Sequence, residues 1–187
     1  MTIVQVLVSW LKGKELSAEA KAQLVDRLLL DQEQAKTWGV TPASVDQIVE
    51  NRLALLRSIY PSLSQFCLDV FGWQDCPLEL LWNLWLPLAL QIADWHQRQN
   101  KPLIQGILGG QGTGKTTLAA ILSQILSSIG LQVCRLSLDD LYKTYADRLA
   151  LQQFDSRYRW RGPPGTHDVD LGLTVLQQLH NAAYPVQ

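Results

Sequence analysis

Cysteine and histidine are scarce in this sequence. Each occurs three times in 187 residues, and Cys67, Cys76 and Cys134 form no C-x-x-C pair. Because a structural zinc site needs such ligands at short spacing, we expect none here. An odd number of scattered cysteines is typical of reduced thiols, which predicts a cytoplasmic location.

A strong net charge and a long uninterrupted apolar run are also lacking. The formal net charge at pH 7 is −1, which gives no general attraction to nucleic acid or to an acidic membrane. The best candidate for a membrane span, residues 78–93, has a polar residue or proline at every fourth position. That spacing favours a mostly buried helix over a membrane span. We therefore expect neither nucleic acid nor membrane as a partner.

Apolar residues make up 47% of the chain and first follow a helical spacing. Residues 1–100 are predicted to form an all-helical N-terminal region, in which serine, threonine and proline mark the helix boundaries. The expected boundaries are Ser17 and Lys36 for the first helix, Thr41-Pro42 and Pro61 for the second, and Pro77 for a third that Pro87 kinks or divides.

The pattern changes near residue 101. The short apolar runs Leu103–Leu108 and Leu131–Leu138 predict buried strands, and residues 115–129 between them predict a helix that Gly130 ends. This order predicts parallel strands with a right-handed crossover. The fold class is therefore expected to be α/β, with a second region over residues 101–187.

A glycine-rich turn joins the first predicted strand to this helix and matches G-x-x-x-x-G-K-[ST] in full. Glycines let the backbone approach a polyphosphate closely, and a helix start supplies free N–H groups. In such a turn the lysine, here Lys115, meets the outer phosphates and the hydroxyl of Thr116 binds magnesium. The turn predicts binding of ATP with Mg²⁺. The predicted ATP-binding residues are Gly109, Gly110, Gln111, Gly112, Thr113, Gly114, Lys115, Thr116 and Thr117.

An acidic pair, Asp139 and Asp140, follows the second predicted strand. The carboxyl ends of parallel strands line the ligand crevice, where a carboxylate takes a proton from a substrate hydroxyl or holds magnesium. The alternative is a solvated pair that caps the next helix, and both interpretations stay open. A magnesium-holding strand of a motor ATPase is a poorer match, because Arg135 and Ser137 do not suit it.

Residues 157–168 are basic and aromatic, with arginine at three alternate positions. Arginines so placed suit an anionic group, and the stiff turn Pro163-Pro164-Gly165 presents His167 and Asp168. A solvated loop, a stacking surface for single-stranded nucleic acid and a cap for the next predicted helix, residues 169–182, are the alternatives.

The segments GGQGTGKTT, SLDDLY and RGPPGTHD, in this order, resemble D-glycerate 3-kinases of the plant, fungal and cyanobacterial type, within the phosphoribulokinase and uridine kinase group. The resemblance implies a P-loop kinase fold with a parallel sheet, and transfer of the ATP γ-phosphate to the 3-hydroxyl of D-glycerate. It implies that Asp139 is the catalytic base, acting with Lys115 and sharing the metal with Thr116. The substrate contacts that it implies are Asp140, Tyr142, Arg161, His167 and Asp168.

Two features depart from that family. Leu141 stands where phenylalanine is usual, and members of the family continue well beyond a position matching Gln187. The resemblance therefore implies the N-terminal part of a kinase core with an incomplete sheet. We expect the two strands to pair directly, or self-association or a missing C-terminal part to complete the sheet. The alternative function is a nucleotide-binding module or switch without kinase activity.

Overall fold

The computed structural model describes residues 2–99 and 101–181, which fall into two units. The first unit comprises the residues up to 95 together with residues 106–133. The second comprises residues 96–105 and the residues from 134 onward. The predicted division into regions 1–100 and 101–187 stays a prediction.

The first unit begins with three short helices: α1 (Ile3–Leu11), α2 (Ala18–Leu30) and α3 (Gln32–Thr37). Ser17 caps α2 as predicted, because its hydroxyl accepts a hydrogen bond from the amide of Ala20. The single helix expected to reach Lys36 is wrong. Asp31 has an extended backbone, and its carboxylate accepts from the amide of Gln34 at 2.9 Å, so it ends α2 and caps α3.

The long helix α4 spans Val45–Phe71 and passes through Pro61 without ending. The expected stop at this proline is therefore wrong. Ile59 and Leu63, on either side of the proline, are at most 1% exposed. Their burial outweighs the hydrogen bond that proline removes. The helix ends instead at Gly72, which has a φ of 69°.

The third predicted helix begins after Pro77 as α5 (Leu78–Leu80), continues as a π-helical turn (Leu81–Trp85) and ends as α6 (Leu86–Gln99). The amide of Leu86 donates to the carbonyl oxygen of Leu81, five residues back. This wide turn stops two residues before Pro87, where the sequence predicts a kink or a division.

The core of the first unit lies where α4 packs against α2 and against α7 (Lys115–Ser128). α7 also packs against the π-helical turn, in which Trp82 and Trp85 are buried. One face of α7 is apolar, and each fully buried aliphatic side chain contributes roughly 1.5–3 kcal/mol. The buried residues of α7 are Ala120, Ile121, Leu122, Ile125 and Leu126.

No strand is present among residues 2–99 and 101–181, so the predicted parallel sheet and α/β fold class are wrong for this structure. Neither apolar run, 103–108 or 131–138, forms a ladder, and Leu108 and Leu138 are 96% and 73% exposed. A helix satisfies its own backbone groups, whereas a strand needs a hydrogen-bonded neighbour. Apolar composition predicted burial, but the described residues contribute no neighbouring strand.

The second unit contains a 3-10 turn (Leu138–Leu141), α8 (Tyr145–Gln152), a second 3-10 turn (Ser156–Arg159) and α9 (Val169–Asn181). α8 contacts the second turn and α9 contacts the first. The predicted end of α9, Ala182, lies outside the described residues. In the ranges 2–99 and 101–181, no helix is both long enough and apolar enough to span a bilayer.

Candidate functional site

The glycine-rich loop has the backbone shape that its sequence predicts. Gly112 and Gly114 have φ angles of 77° and 82°, in the left-handed region. A residue with a Cβ is strained there by about 1–2 kcal/mol. Gly114 immediately precedes α7 and gives it no side-chain cap.

Gly109 is required for space rather than for its backbone angle. A Cβ at this position would lie 2.7 Å from Thr113 Oγ1 and 3.5 Å from Lys115 Cγ. The first distance is shorter than real Cβ contacts, so Thr113 would have to move. The first glycine of the motif therefore makes room for the side chain of Thr113, whereas the contact with Lys115 Cγ would be an ordinary one.

Both of those side chains are held by one carbonyl group. Lys115 Nζ donates to the carbonyl oxygen of Gly110 at 2.7 Å, and Thr113 Oγ1 donates to the same oxygen at 2.8 Å. The ammonium group has three donors and uses one of them here. The lysine is thus already positioned over the loop with two N–H bonds to offer.

The start of α7 adds further donors. The amides of Lys115, Thr116 and Thr117 donate to no acceptor in the part of the chain that the structure describes. The first such bond is that of Leu118 to Gly114, at 2.8 Å. Free amides at a helix start carry partial positive charge and favour an anion. Loop and helix together form a cradle of amide and ammonium donors of the kind that suits an anion, in which Thr116 is exposed.

The acidic pair divides into two roles within the first 3-10 turn. Asp140 caps the turn, because its Oδ2 accepts from the amide of Ser137 at 2.9 Å. The carboxylate of Asp139 accepts no hydrogen bond from the described residues and is exposed. Asp140 thus caps its own turn, while Thr144 caps the next helix, α8, and Asp139 is available for another group.

Two other predicted residues, Tyr142 and His167, stack with ring centroids 4.2 Å apart. An isolated antiparallel bridge pairs the same two residues. Arg161 lies with its guanidinium carbon 5.4 Å from the Tyr142 ring centroid. The second unit therefore brings three of the predicted substrate contacts together.

Asp168 has a structural role. Its Oδ1 accepts from the amide of Leu171 at 2.9 Å, so it caps α9, one of the alternatives that the sequence left open. Its own amide donates to the carbonyl oxygen of Leu141 at 2.7 Å, which ties the start of α9 to the acidic turn.

The three alternate arginines do not act as one group. Asp155 accepts from Arg157 at 2.6 Å, and hydrogen bonds from Arg157 hold the pKa of that carboxyl below its usual value. Arg159 lies over the Trp160 ring, and Arg161 over Tyr142. Only Arg161 therefore shares a location with the other predicted substrate contacts.

Thr166 is a buried structural residue next to His167 that the sequence did not single out. It is fully buried, and its Oγ1 donates to the carbonyl oxygen of Pro163 at 2.7 Å and accepts from the amide of Gly162. Its carbonyl oxygen accepts from the amide of Lys143. Its position directly after the Pro-Pro-Gly turn is the sequence feature that could have indicated this role. The loop residues 109–117 lie in the first unit and the other predicted site residues in the second.

Comparison with known proteins gives three kinases. The chain is 40% identical to uncharacterized kinase mug58 of Schizosaccharomyces pombe over 81 residues, which are 42% of this chain and 29% of the relative. It is 26% identical to the chloroplastic D-glycerate 3-kinase of Arabidopsis thaliana over 158 residues, which are 75% of this chain and 33% of the relative. It is 33% identical to uridine kinase of Leuconostoc citreum over 79 residues, 42% of this chain and 36% of the relative.

The chain thus spans about a third of the length of the curated relatives it matches. No family model and no solved structure matches it. The names of these distant relatives support the P-loop kinase group as a whole, without singling out one acceptor, and they support a phosphotransferase function in general.

Proposed function

We propose that this chain belongs to an ATP-dependent small-molecule kinase that transfers the γ-phosphate to a hydroxyl of D-glycerate, giving 3-phosphoglycerate. The observation that carries the proposal is the lysine held over the glycine loop. Lys115 Nζ lies 2.7 Å from the carbonyl oxygen of Gly110, beside the free amides at the start of α7.

The cradle fits a nucleoside triphosphate with Mg²⁺. Its donors are backbone amides and one ammonium group, and Gly109 leaves the space that the side chain of Thr113 needs. The hydroxyl of Thr116 and the carboxylate of Asp139 are oxygen ligands of the kind that Mg²⁺ prefers. When bound, the metal ion neutralises charge on the phosphate oxygens.

Asp139 is our choice for the base that accepts the proton of the acceptor hydroxyl. Its carboxylate is exposed and makes no hydrogen bond in the described part of the chain, whereas that of Asp140 is committed to Ser137. Phosphoryl transfer needs positioning, charge neutralisation and such a base. The acceptor contacts in this proposal are Asp140, Tyr142, Arg161, His167 and Asp168.

D-glycerate is proposed as the acceptor because of the motif resemblance together with the match to the Arabidopsis thaliana protein, which covers 75% of this chain. The uridine kinase match covers 42% of the chain. Residues 137–142 and 161–168 are the segments that support glycerate over a nucleoside.

ATP binding is tested first, by calorimetry on the parent chain and on Lys115→Ala. The variant loses the ammonium group and keeps the buried face of α7, so we expect folding to survive and ATP affinity to fall by about 10-fold or more, since 1.4 kcal/mol corresponds to tenfold. Equal ATP affinity in both proteins would contradict the role of the loop.

Transfer is tested with labelled ATP and a panel of D-glycerate, L-glycerate and uridine. We expect Asp139→Asn to abolish transfer through kcat and to leave ATP binding intact. Asp147→Asn is the matched control, because it removes the same charge outside the proposed site while an amide oxygen can still accept from the hydroxyl of Thr144.

Two results would change the assignment. Preference for uridine would replace glycerate and leave the kinase proposal in place. ATP binding by a chain that transfers phosphate to none of the acceptors would favour a nucleotide-binding module.

A further inference from the structure

A charged side chain is buried in the first unit without a partner. Arg52 lies on the inward face of α4, between Val49 and Leu56, and is 3% exposed. Its Nε and Nη1 atoms are shielded from solvent and donate to no residue among those described. The proposed kinase reaction does not use this residue.

This arrangement is costly for a guanidinium group. Burial lowers the pKa of Arg52 to about 10, so the group still carries its charge at neutral pH. A buried charge without a counter-ion is strongly unfavourable, and buried arginines are normally paired with an oxyanion. The guanidinium group of Arg52 on α4 therefore lacks the counter-ion that its burial requires.

The nearest acidic residues on the same helix do not supply that charge. Glu50 accepts a hydrogen bond from Lys21 on α2 at 2.7 Å, and Asp46 lies 3.9 Å from the same ammonium group. Desolvation is the cause of the lowered pKa of Arg52, with no carboxylate acting against it. Both carboxylates thus lie on another face of α4, where they interact with Lys21 of α2.

We propose that Arg52 is the receptor for a small oxyanion, a carboxylate or a phosphate, that binds inside the first unit. A guanidinium group offers parallel N–H bonds whose spacing matches two oxygens of such an anion. Nε and Nη1 are enclosed and have no partner among the described residues, so they are the donors that a bound oxyanion would meet. Arg52 is not one of the residues of the proposed kinase site, and this inference does not depend on the proposed kinase activity.

The test measures thermal unfolding in a Lys115→Ala background, because the phosphate loop would itself bind phosphate. Phosphate and formate are titrated separately against chloride at equal ionic strength. At an anion concentration of about four times Kd, we expect the bound anion to raise Tm by roughly 2–4 °C. The phosphate and formate arms identify which oxyanion binds.

Adding Arg52→Met should remove this shift, since methionine fills the space without charge. Arg57→Met is the matched control on the same helix: Arg57 already donates to the carbonyl oxygen of Trp10 at 3.0 Å and lies over its ring, so its loss should leave the shift in place. Equal Tm shifts with and without Arg52 would overturn the proposal.

A second measurement does not depend on the folding of any Arg52 variant. In ¹⁵N-arginine-labelled Lys115→Ala protein, the Nε–H resonance of Arg52 should move saturably with the oxyanion and stay in place with chloride. A resonance that neither phosphate nor formate moves would show that Arg52 binds no small oxyanion.

Discussion

Replacing Gly109 by alanine tests whether crowding inside the loop is the reason for its first glycine. The new Cβ would lie 2.7 Å from Thr113 Oγ1. Thr113 must then give up its 2.8 Å hydrogen bond to the Gly110 carbonyl oxygen, which costs about 0.5–1.5 kcal/mol. Overpacking against Thr113 adds to this, so we expect a loss of roughly 1–3 kcal/mol in the free energy of unfolding.

Gly110→Ala is the matched control for the same chemical change one residue later. Its Cβ would meet Thr113 Cγ2 at 3.7 Å, an ordinary contact, and the backbone of Gly110 is not in the left-handed region. Alanine at such a position stabilises by about 0.4–1 kcal/mol through the unfolded chain, or is neutral. Urea unfolding without nucleotide measures both variants.

ATP calorimetry on the same two variants gives the second readout. We expect Gly109→Ala to bind ATP more weakly, by about tenfold if the movement of Thr113 costs the loop 1.4 kcal/mol of binding free energy. The crowding argument fails if Gly109→Ala matches Gly110→Ala in unfolding free energy and the parent chain in ATP affinity.

Two further predictions concern packing and thiol reactivity. Gly172→Ala should destabilise by about 1–2 kcal/mol in urea, because its Cβ would lie 2.9 Å from Leu141 Cδ1 and this overlap outweighs a helix propensity gain of about 1 kcal/mol. In a Leu141→Ala background, where the overlapping methyl group is absent, Gly172→Ala should instead be stabilising. A Gly172→Ala variant that is more stable than the parent chain would contradict the overlap. Burial raises the pKa of the Cys76 thiol to about 12 and that of Cys67 in the same direction, so thiolate is scarce at pH 8. We expect a thiol reagent to modify only exposed Cys134 rapidly; three equal rates would refute this.

The sequence could predict those parts of the structure that depend on neighbouring residues. Ser17 caps α2, and α7 begins after Gly114 and ends before Gly130, whose φ is 87°. The loop conformation follows from glycine and the helix start alone. Each of these features is decided within a few residues, so a single sequence carries the necessary information.

The missed features depend on contacts that a local pattern does not contain. Pro61 remains inside α4 because burial on both sides of it outweighs one lost hydrogen bond. The runs 103–108 and 131–138 have the composition of strands, but pairing is a property of two segments. For Asp168 the sequence left open a substrate contact and a helix cap, and the hydrogen bond from the amide of Leu171 shows that its carboxylate caps α9.

The packing of α7 against α4 has a thermodynamic consequence. A ligand held at the start of α7 adds its binding free energy to the folding free energy of every element that must unfold with that helix. Amide protons in the middle of α4, far along the chain from residues 109–116, should then exchange with solvent more slowly when nucleotide is added. Hydrogen exchange in α4 would therefore report whether a ligand is bound at the glycine loop. By the same linkage, local unfolding of α4 would weaken the binding of that ligand.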